Sequence, residues 1–413
     1  NKSVALAIVG QRNPVEGLRI IAAHIDSPRL DLKGNPLYEE TDYNLALMKT
    51  HYYGGIRKYQ WVTIPLAIHG VVFTKKGNRV EIKIGENDDD PVFVITDLLP
   101  HVARKSQGER KLEEGIKGEE LNLVVGHRPI DEKKAKKKIK LWVLNYLNEK
   151  YGITEEDFVS AELEVVPALR ARDAGFDRML VAGYGQDDRI CAYTQLKAFL
   201  EVENPLDTCL ALFFDKEEIG SEGNSSVKSR FFDYIVATLV EKCSSVKKRG
   251  RGRPRKEEKQ QEASESLLLR IMKCLNSSIA LSSDVNAAMD PTFRDPWEPM
   301  NCSRIGGGVV ITKYTGHGGK SGASDANAEF MHYIRTLLNQ EEITWQIGEL
   351  GKVDEGGGGT VAKFLAAYNM DIVDCGPALL AMHAPVELSS KVDILSAYRL
   401  YKAFCLDKSK PSK

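Results

Sequence analysis

Residues 18–26 read LRIIAAHID, a largely apolar run that ends on His24, with Asp26 two positions further on. A run without polar alternation is expected for a strand buried on both faces, the kind that parallel sheets contain. Three other runs end in a similar way. Residues 210–214 (LALFF) lead into Asp215, Lys216, Glu217 and Glu218, and residues 279–281 (IAL) lead through two serines to Asp284. Residues 378–382 (ALLAM) lead to His383. In open α/β sheets ligands bind beyond the carboxyl ends of the strands. Four strands are therefore predicted to deliver His, Glu, Asp and His to one edge. Asp187 is the fifth candidate, in GYGQDDRICAY, a glycine-rich turn that opens a helix.

From about Asp173 onward, short apolar runs alternate with helical segments such as DRICAYTQLKAFLEVE and DANAEFMHYIRTLLNQ. That alternation predicts an α/β domain. The earlier chain differs. Residues 61–99 are β-rich, with turn signals at KKGN and ENDDD. A highly charged stretch covers 104–140, and 141–149 has the pattern of a short amphipathic helix. The expected architecture is a three-layer αβα sandwich with a mixed, mainly parallel sheet, built from residues 1–59 and 165–413. A β-rich domain of residues 60–164 is inserted into it and is expected to serve dimerisation or act as a lid. Residues 244–264, SSVKKRGRGRPRKEEKQQEAS, are basic and then acidic and polar, and read as a solvated loop.

The chain has 413 residues, which at ~150 per domain means two or three domains. Lys plus Arg number 57 against 58 for Asp plus Glu, a formal net charge of -1. That balance argues against a dedicated nucleic-acid binder or a membrane-surface protein. No apolar run reaches the roughly 18 residues of a transmembrane helix. The seven cysteines are widely spaced and form no CxxC pair. That favours buried thiols in a reducing compartment, with the cytoplasm as the default location. The chain opens on Asn1, without a Met and almost directly on a strand, so a preceding segment is expected.

Two histidines with several carboxylates suit a pair of zinc ions sharing a bridging carboxylate. Glu217 and Glu218 supply adjacent carboxylates that point in different directions, one able to bind metal and the other free as a general base. On an extended strand Asp26 faces the same way as His24 and could hold the imidazole in its metal-binding tautomer. Each feature alone is weak. An H-x-D triplet is most often a surface loop, a DKEE turn is usually solvated, and Asp-Asp before Arg is usually a helix N-cap. The conjunction at strand and helix boundaries carries the reading.

At these residues the sequence resembles the aspartyl aminopeptidase and vacuolar aminopeptidase I family of dinuclear zinc exopeptidases. The matching segments are AAHIDSPRLDLK, KTHYYGGIRKYQW, EKYGITEEDFVSAELEVVPA, GYGQDDRICAYTQL, FFDKEEIGSEGN, LSSDVNAAMDP and LLAMHAPVE, which span nearly the whole chain in the family's order. The resemblance implies an aminopeptidase with two zinc ions per subunit, for which cobalt or manganese could substitute. His24, Asp187, Glu218, Asp284 and His383 are the implied ligands, with Asp187 bridging, Glu217 as base and Asp26 behind His24. It also implies that His101, in DLLPHVARK, reaches the active site of a neighbouring subunit within a tetrahedral dodecamer built from dimers. Lys313 and the glycine-rich turn 356–360, with Gly359, are implied to lie near the peptide substrate. Acidic or neutral first residues are both open as the preference. Residues 247–256, KKRGRGRPRK, depart from the family and resemble the core of an AT-hook. A peptidase-fold protein contacting A·T-rich DNA is the alternative reading, against the near-neutral remainder of the chain.

Overall fold

Seven strands form the principal sheet: β1 (Val4–Ile8), β2 (Leu18–His24), β3 (Thr208–Phe214), β4 (Ile279–Ser283), β5 (Val309–Thr312), β6 (Trp345–Ile347) and β7 (Asp371–Gly376). They come from a computed structural model that describes residues 2–243 and 265–411. The basic stretch 247–256 lies outside the described residues. The sheet order is β1-β3-β2-β4-β7-β5-β6. The central strands β3, β2, β4 and β7 run parallel, as do β5 and β6. β1 is antiparallel to β3, and β5 to β7. This is the mixed, mainly parallel sheet that the apolar runs predict.

Both faces of the sheet are buried, and the strand period of two divides each run between them. From β2, Ile21 and Ala23 pack with the helices α1 (Gln186–Leu200), α4 (Ala328–Gln340) and α5 (Lys391–Leu406). Leu18, Ile20 and Ala22 pack on the opposite side with α2 (Phe231–Cys243) and α3 (Leu267–Asn276). The result is a three-layer αβα sandwich. A five-stranded sheet stands apart, with Leu180–Gly183, Glu387–Ser390, Ala378–Leu380 and Asn286–Ala287 among its strands.

The chain divides into two compact units, one of Asn1–Ser27, Asp173–Met382 and Glu387–Lys413, the other of Pro28–Arg172 and His383–Val386. The second unit opens well before residue 60 and closes later than 164. The cause is strand pairing. Arg29–Glu40 and Leu45–Tyr53 pair with each other and join Ala161–Pro167 and Asn122–Gly126 in one seven-stranded sheet. That sheet is antiparallel throughout, as expected of a β-rich insertion. No described helix is long and apolar enough to cross a membrane.

Arg19 interrupts the apolar run of β2 and is 1% exposed. Its guanidinium donates to Asp207 Oδ2 at 3.2 Å, Tyr333 Oη at 2.7 Å and the Phe404 carbonyl at 3.0 Å. It thereby joins β2, the entry to β3, α4 and α5. Removing Arg19 leaves buried Asp207 only the partly exposed Arg12, whose Nη1 is 3.1 Å from Oδ1. Arg19→Met is expected to cost about 3–5 kcal/mol, read as a lower urea unfolding midpoint; a midpoint equal to the parent's would contradict the role given to this pair.

Candidate metal centre

The carboxyl ends of β3, β2 and β4 lie side by side, because Phe214 is level with His24 and Ser282 with Ala22. The chain leaves β2 at His24, β3 toward Glu217 and β4 toward Asp284. Three of the four expected strands therefore share one edge. The fourth does not: Ala378–Leu380 belongs to the five-stranded sheet, because it pairs with Glu387–Ser390 and Asn286–Ala287. His383 groups with the second unit, where its Nδ1 lies 2.8 Å from the Gly55 carbonyl.

His24 is 2% exposed. Its Nε2 is 3.1 Å from Asp187 Oδ1. Its Nδ1 is 3.0 Å from the Asp26 carbonyl oxygen, whereas the Asp26 carboxylate is 3.5 Å away. The nearer acceptor for the ring is thus backbone, with the Asp26 carboxylate also facing it. The Asp26 carboxylate instead accepts the backbone N–H of Glu217 at 3.1 Å and of Glu218 at 3.2 Å. It holds the turn that carries both glutamates. That turn is a single 3-10 turn, Glu217–Ile219, entered by Lys216 and left by Gly220, both left-handed. Glycine adopts that conformation without the penalty a Cβ brings.

Asp187 sits at the start of α1, where Asp187 and Asp188 have non-helical dihedrals and the peptide bond between them is cis. Its N–H donates to Glu387 Oε2 at 3.2 Å, as does that of Gln186 at 2.6 Å, and its carbonyl accepts from Ser27 Oγ at 2.7 Å. Asp284 follows β4 and donates its N–H to the Cys375 carbonyl at 3.2 Å. A Cβ on Gly376 would lie 2.2 Å from the Asp284 carbonyl oxygen, so only glycine allows this approach.

Sequence reasoning passed over two residues here. Asp188, the second Asp of the Asp-Asp pair, is fully buried. Its Oδ2 accepts the His24 N–H at 3.3 Å, and its Oδ1 has no hydrogen-bond partner. Glu387, the last residue of LLAMHAPVE, fixes the Asp187 turn from a strand edge. A carboxylate inside an otherwise apolar or turn motif was the available signal for both.

Ligand atoms of His24, Asp187 and Glu218 lie within 4.8 Å of one another, and so do those of His24, Asp188 and Asp284. Desolvation pushes the Asp188 and Asp284 carboxyls well above the usual range, and neighbouring aspartates add to it. Glu217 is pushed up to about 6, first by desolvation and then by Asp187 and Asp26, with His24 and Lys363 opposing. Desolvation would lower His24, but hydrogen bonding to Asp187 and Asp26 carries it well above the usual histidine range. Carboxylates this close cannot all ionise unaided, and a bound dication inverts that logic. Imidazole and carboxylate oxygens are the donors zinc takes. The orphaned Asp188 Oδ1 fits the same demand.

Of the remaining candidates, Lys313 and the glycine-rich turn have partners of their own. Lys313 Nζ is 2.6 Å from Asp325 Oδ1, and Lys320 Nζ is 2.9 Å from Asp325 Oδ2. The Gly358 carbonyl in the glycine-rich turn accepts from the Gly316 N–H at 2.6 Å, and Gly359 abuts Lys363. His101 is exposed, on the helix Pro100–Ser106 of the second unit.

Residues 1–405 match the model of the family described as Aminopeptidase I zinc metalloprotease (M18). A probable M18 family aminopeptidase 1 of Clostridium acetobutylicum is 49% identical over 403 residues, covering 98% of this chain and 82% of its own. The crystal structure of an M18 family aminopeptidase from Thermotoga maritima is 44% identical with a TM-score of 0.89, covering 98% of this chain and 84% of that one. A structure described as the yeast mApe1 dodecamer has a TM-score of 0.72 at 18% identity, covers 97% of this chain and 82% of that one, and shares the fold. The chain belongs to the Aminopeptidase I zinc metalloprotease (M18) family and is a zinc-dependent aminopeptidase.

Proposed function

We propose that this aminopeptidase holds two zinc ions and uses Glu217 as its general base. The observation that supports this is the crowding of carboxylates around one imidazole. Asp26, Asp187, Asp188, Glu217, Glu218 and Asp284 gather about His24, with one orphaned oxygen among them. His24, Asp187, Glu218 and Asp284 are the residues that would hold the zinc. His383 keeps the ligand role that the family resemblance gives it. When bound, zinc supplies Lewis acidity toward the peptide carbonyl and toward water.

The chain's own residues do the rest. Glu217 takes a proton from the water whose oxygen attacks the first peptide carbonyl. It then returns that proton to the leaving amine as the C–N bond breaks. Asp26 keeps Glu217 and Glu218 in place by accepting both of their N–H groups. The free α-amine of the substrate matches an acid-rich site, so an acetylated terminus should be refused.

Assembly into a homo-oligomer of dimers, up to a dodecamer as in the yeast relative, is part of the reading. So is His101 acting on a neighbouring subunit. Lys313 is proposed to face the substrate, for which its ammonium must be shared with Asp325.

Dipeptides beginning with Asp or Leu, free and N-acetylated, test the reaction. The zinc-loaded protein is expected to cleave only the free-amine forms, and chelation is expected to abolish cleavage. Glu217→Gln is expected to retain bound zinc and lose about 10²–10⁴ in kcat. Full turnover in a zinc-loaded Glu217→Gln protein would refute the base assignment. Lys313→Ala is expected to change the Asp-to-Leu ratio of kcat/KM, and an unchanged ratio would remove Lys313 from the substrate pocket.

A further inference from the structure

The helix α5 has two unlike sides. Ala397, Leu400, Tyr401, Phe404 and Cys405 are buried in the core against the principal sheet. Arg399, Lys402, Ala403 and Leu406 follow the helical spacing of three and four residues and share the opposite side. They line a cavity of about 520 Å³, bounded also by Glu341 and Ile343, just past α4, and by Asp407 and Lys408, just past α5. Small-molecule sites ordinarily measure about 300–1,000 Å³.

Two of the charged groups in this lining are already committed. Lys402 Nζ is 2.7 Å from Glu201 Oε2. The Asp407 carboxylate accepts from Tyr333 Oη and from Ser409 Oγ, each at 2.7 Å. Arg399, Lys408 and Glu341 are not committed: they are exposed, and their side chains make no hydrogen bond or ion pair among the described residues. The rest of the lining is apolar, with Ile343 only 5% exposed beside Ala403 and Leu406.

The cavity lies toward the amino end of β2, because Arg19 there donates to the Phe404 carbonyl at 3.0 Å and reaches within 3.8 Å of Asp407 Oδ2. His24 ends the same strand. At ~3.3 Å per residue the two ends of that strand segment are roughly 16 Å apart. A molecule in the cavity therefore leaves the metal centre open to the peptide.

We propose that this cavity binds a free α-amino acid with an apolar side chain, the kind of molecule an aminopeptidase releases. Arg399 and Lys408 take its carboxylate, Glu341 takes its ammonium, and Ile343, Ala403 and Leu406 take its side chain. A simple anion would leave the Glu341 carboxylate facing it, and a simple cation would meet two positive charges. A zwitterion answers both signs. The site does not depend on Glu217 being the base.

Titration calorimetry of the zinc-loaded protein with L-leucine tests this, in the parent, Arg399→Met and Glu341→Gln. The parent is expected to bind one more leucine per subunit than either variant, or to bind that leucine about tenfold or more tightly. N-acetyl-leucine and leucinamide, which each lack one charged end, are expected to lose the same increment in the parent. Initial turnover of a Leu dipeptide is expected to be equal in all three proteins, which separates this site from the metal centre. Identical leucine binding in the parent and both variants would overturn the proposal. So would N-acetyl-leucine binding in the parent as tightly as leucine, since the cavity would then read an anion alone.

Discussion

An excess of negative charge, withdrawn from water at one sheet edge, is the constraint on which the rest of this structure depends. Six carboxylates crowd one imidazole. A buried ion without compensation costs several kcal/mol. Backbone N–H groups compensate Asp26 twice and Asp188 once. Asp188 and Asp284 answer the cost in the ion-free protein by favouring their neutral forms. We propose that this arrangement is the resting frame of a site that receives zinc.

The fold holds that frame rigid. Three adjacent parallel strands, packed on both faces, fix the spacing between His24, the Glu217 turn and Asp284. Close backbone approaches do the fine placement, as at Gly376 against Asp284. Glu387 and Ser27 pin the Asp187 turn from two sides. Sites carried on packed elements are more exact than sites on free loops.

Much of this was legible in the sequence, for a definable reason. A run buried on both faces must be apolar, so a polar residue at its end stands out, as with His24, Glu217 and Asp284. The family motifs spanned the chain in order, and the M18 match covers nearly the same extent. What was not legible depends on contacts distant in sequence. The second unit begins at Pro28 because Arg29–Glu40 pairs with Ala161–Pro167, which no local pattern announces. The run before His383 looks like the other three but joins a different sheet, since pairing partners are not written in a single strand. Asp26 faces the His24 ring at 3.5 Å, but that its carboxylate also accepts two N–H groups of the Glu217 turn depends on a strand far away in sequence. Asp188 was passed over because the pair Asp187-Asp188 was credited with one inward carboxylate, and the sequence does not say that both turn inward.

Anomalous diffraction at the zinc edge, on crystals of zinc-loaded protein, tests the central claim most directly. The account predicts two peaks about 3.5–4 Å apart, one beside Glu218 and one beside Asp284, with Asp187 between them. A single peak, or peaks away from these carboxylates, would contradict it.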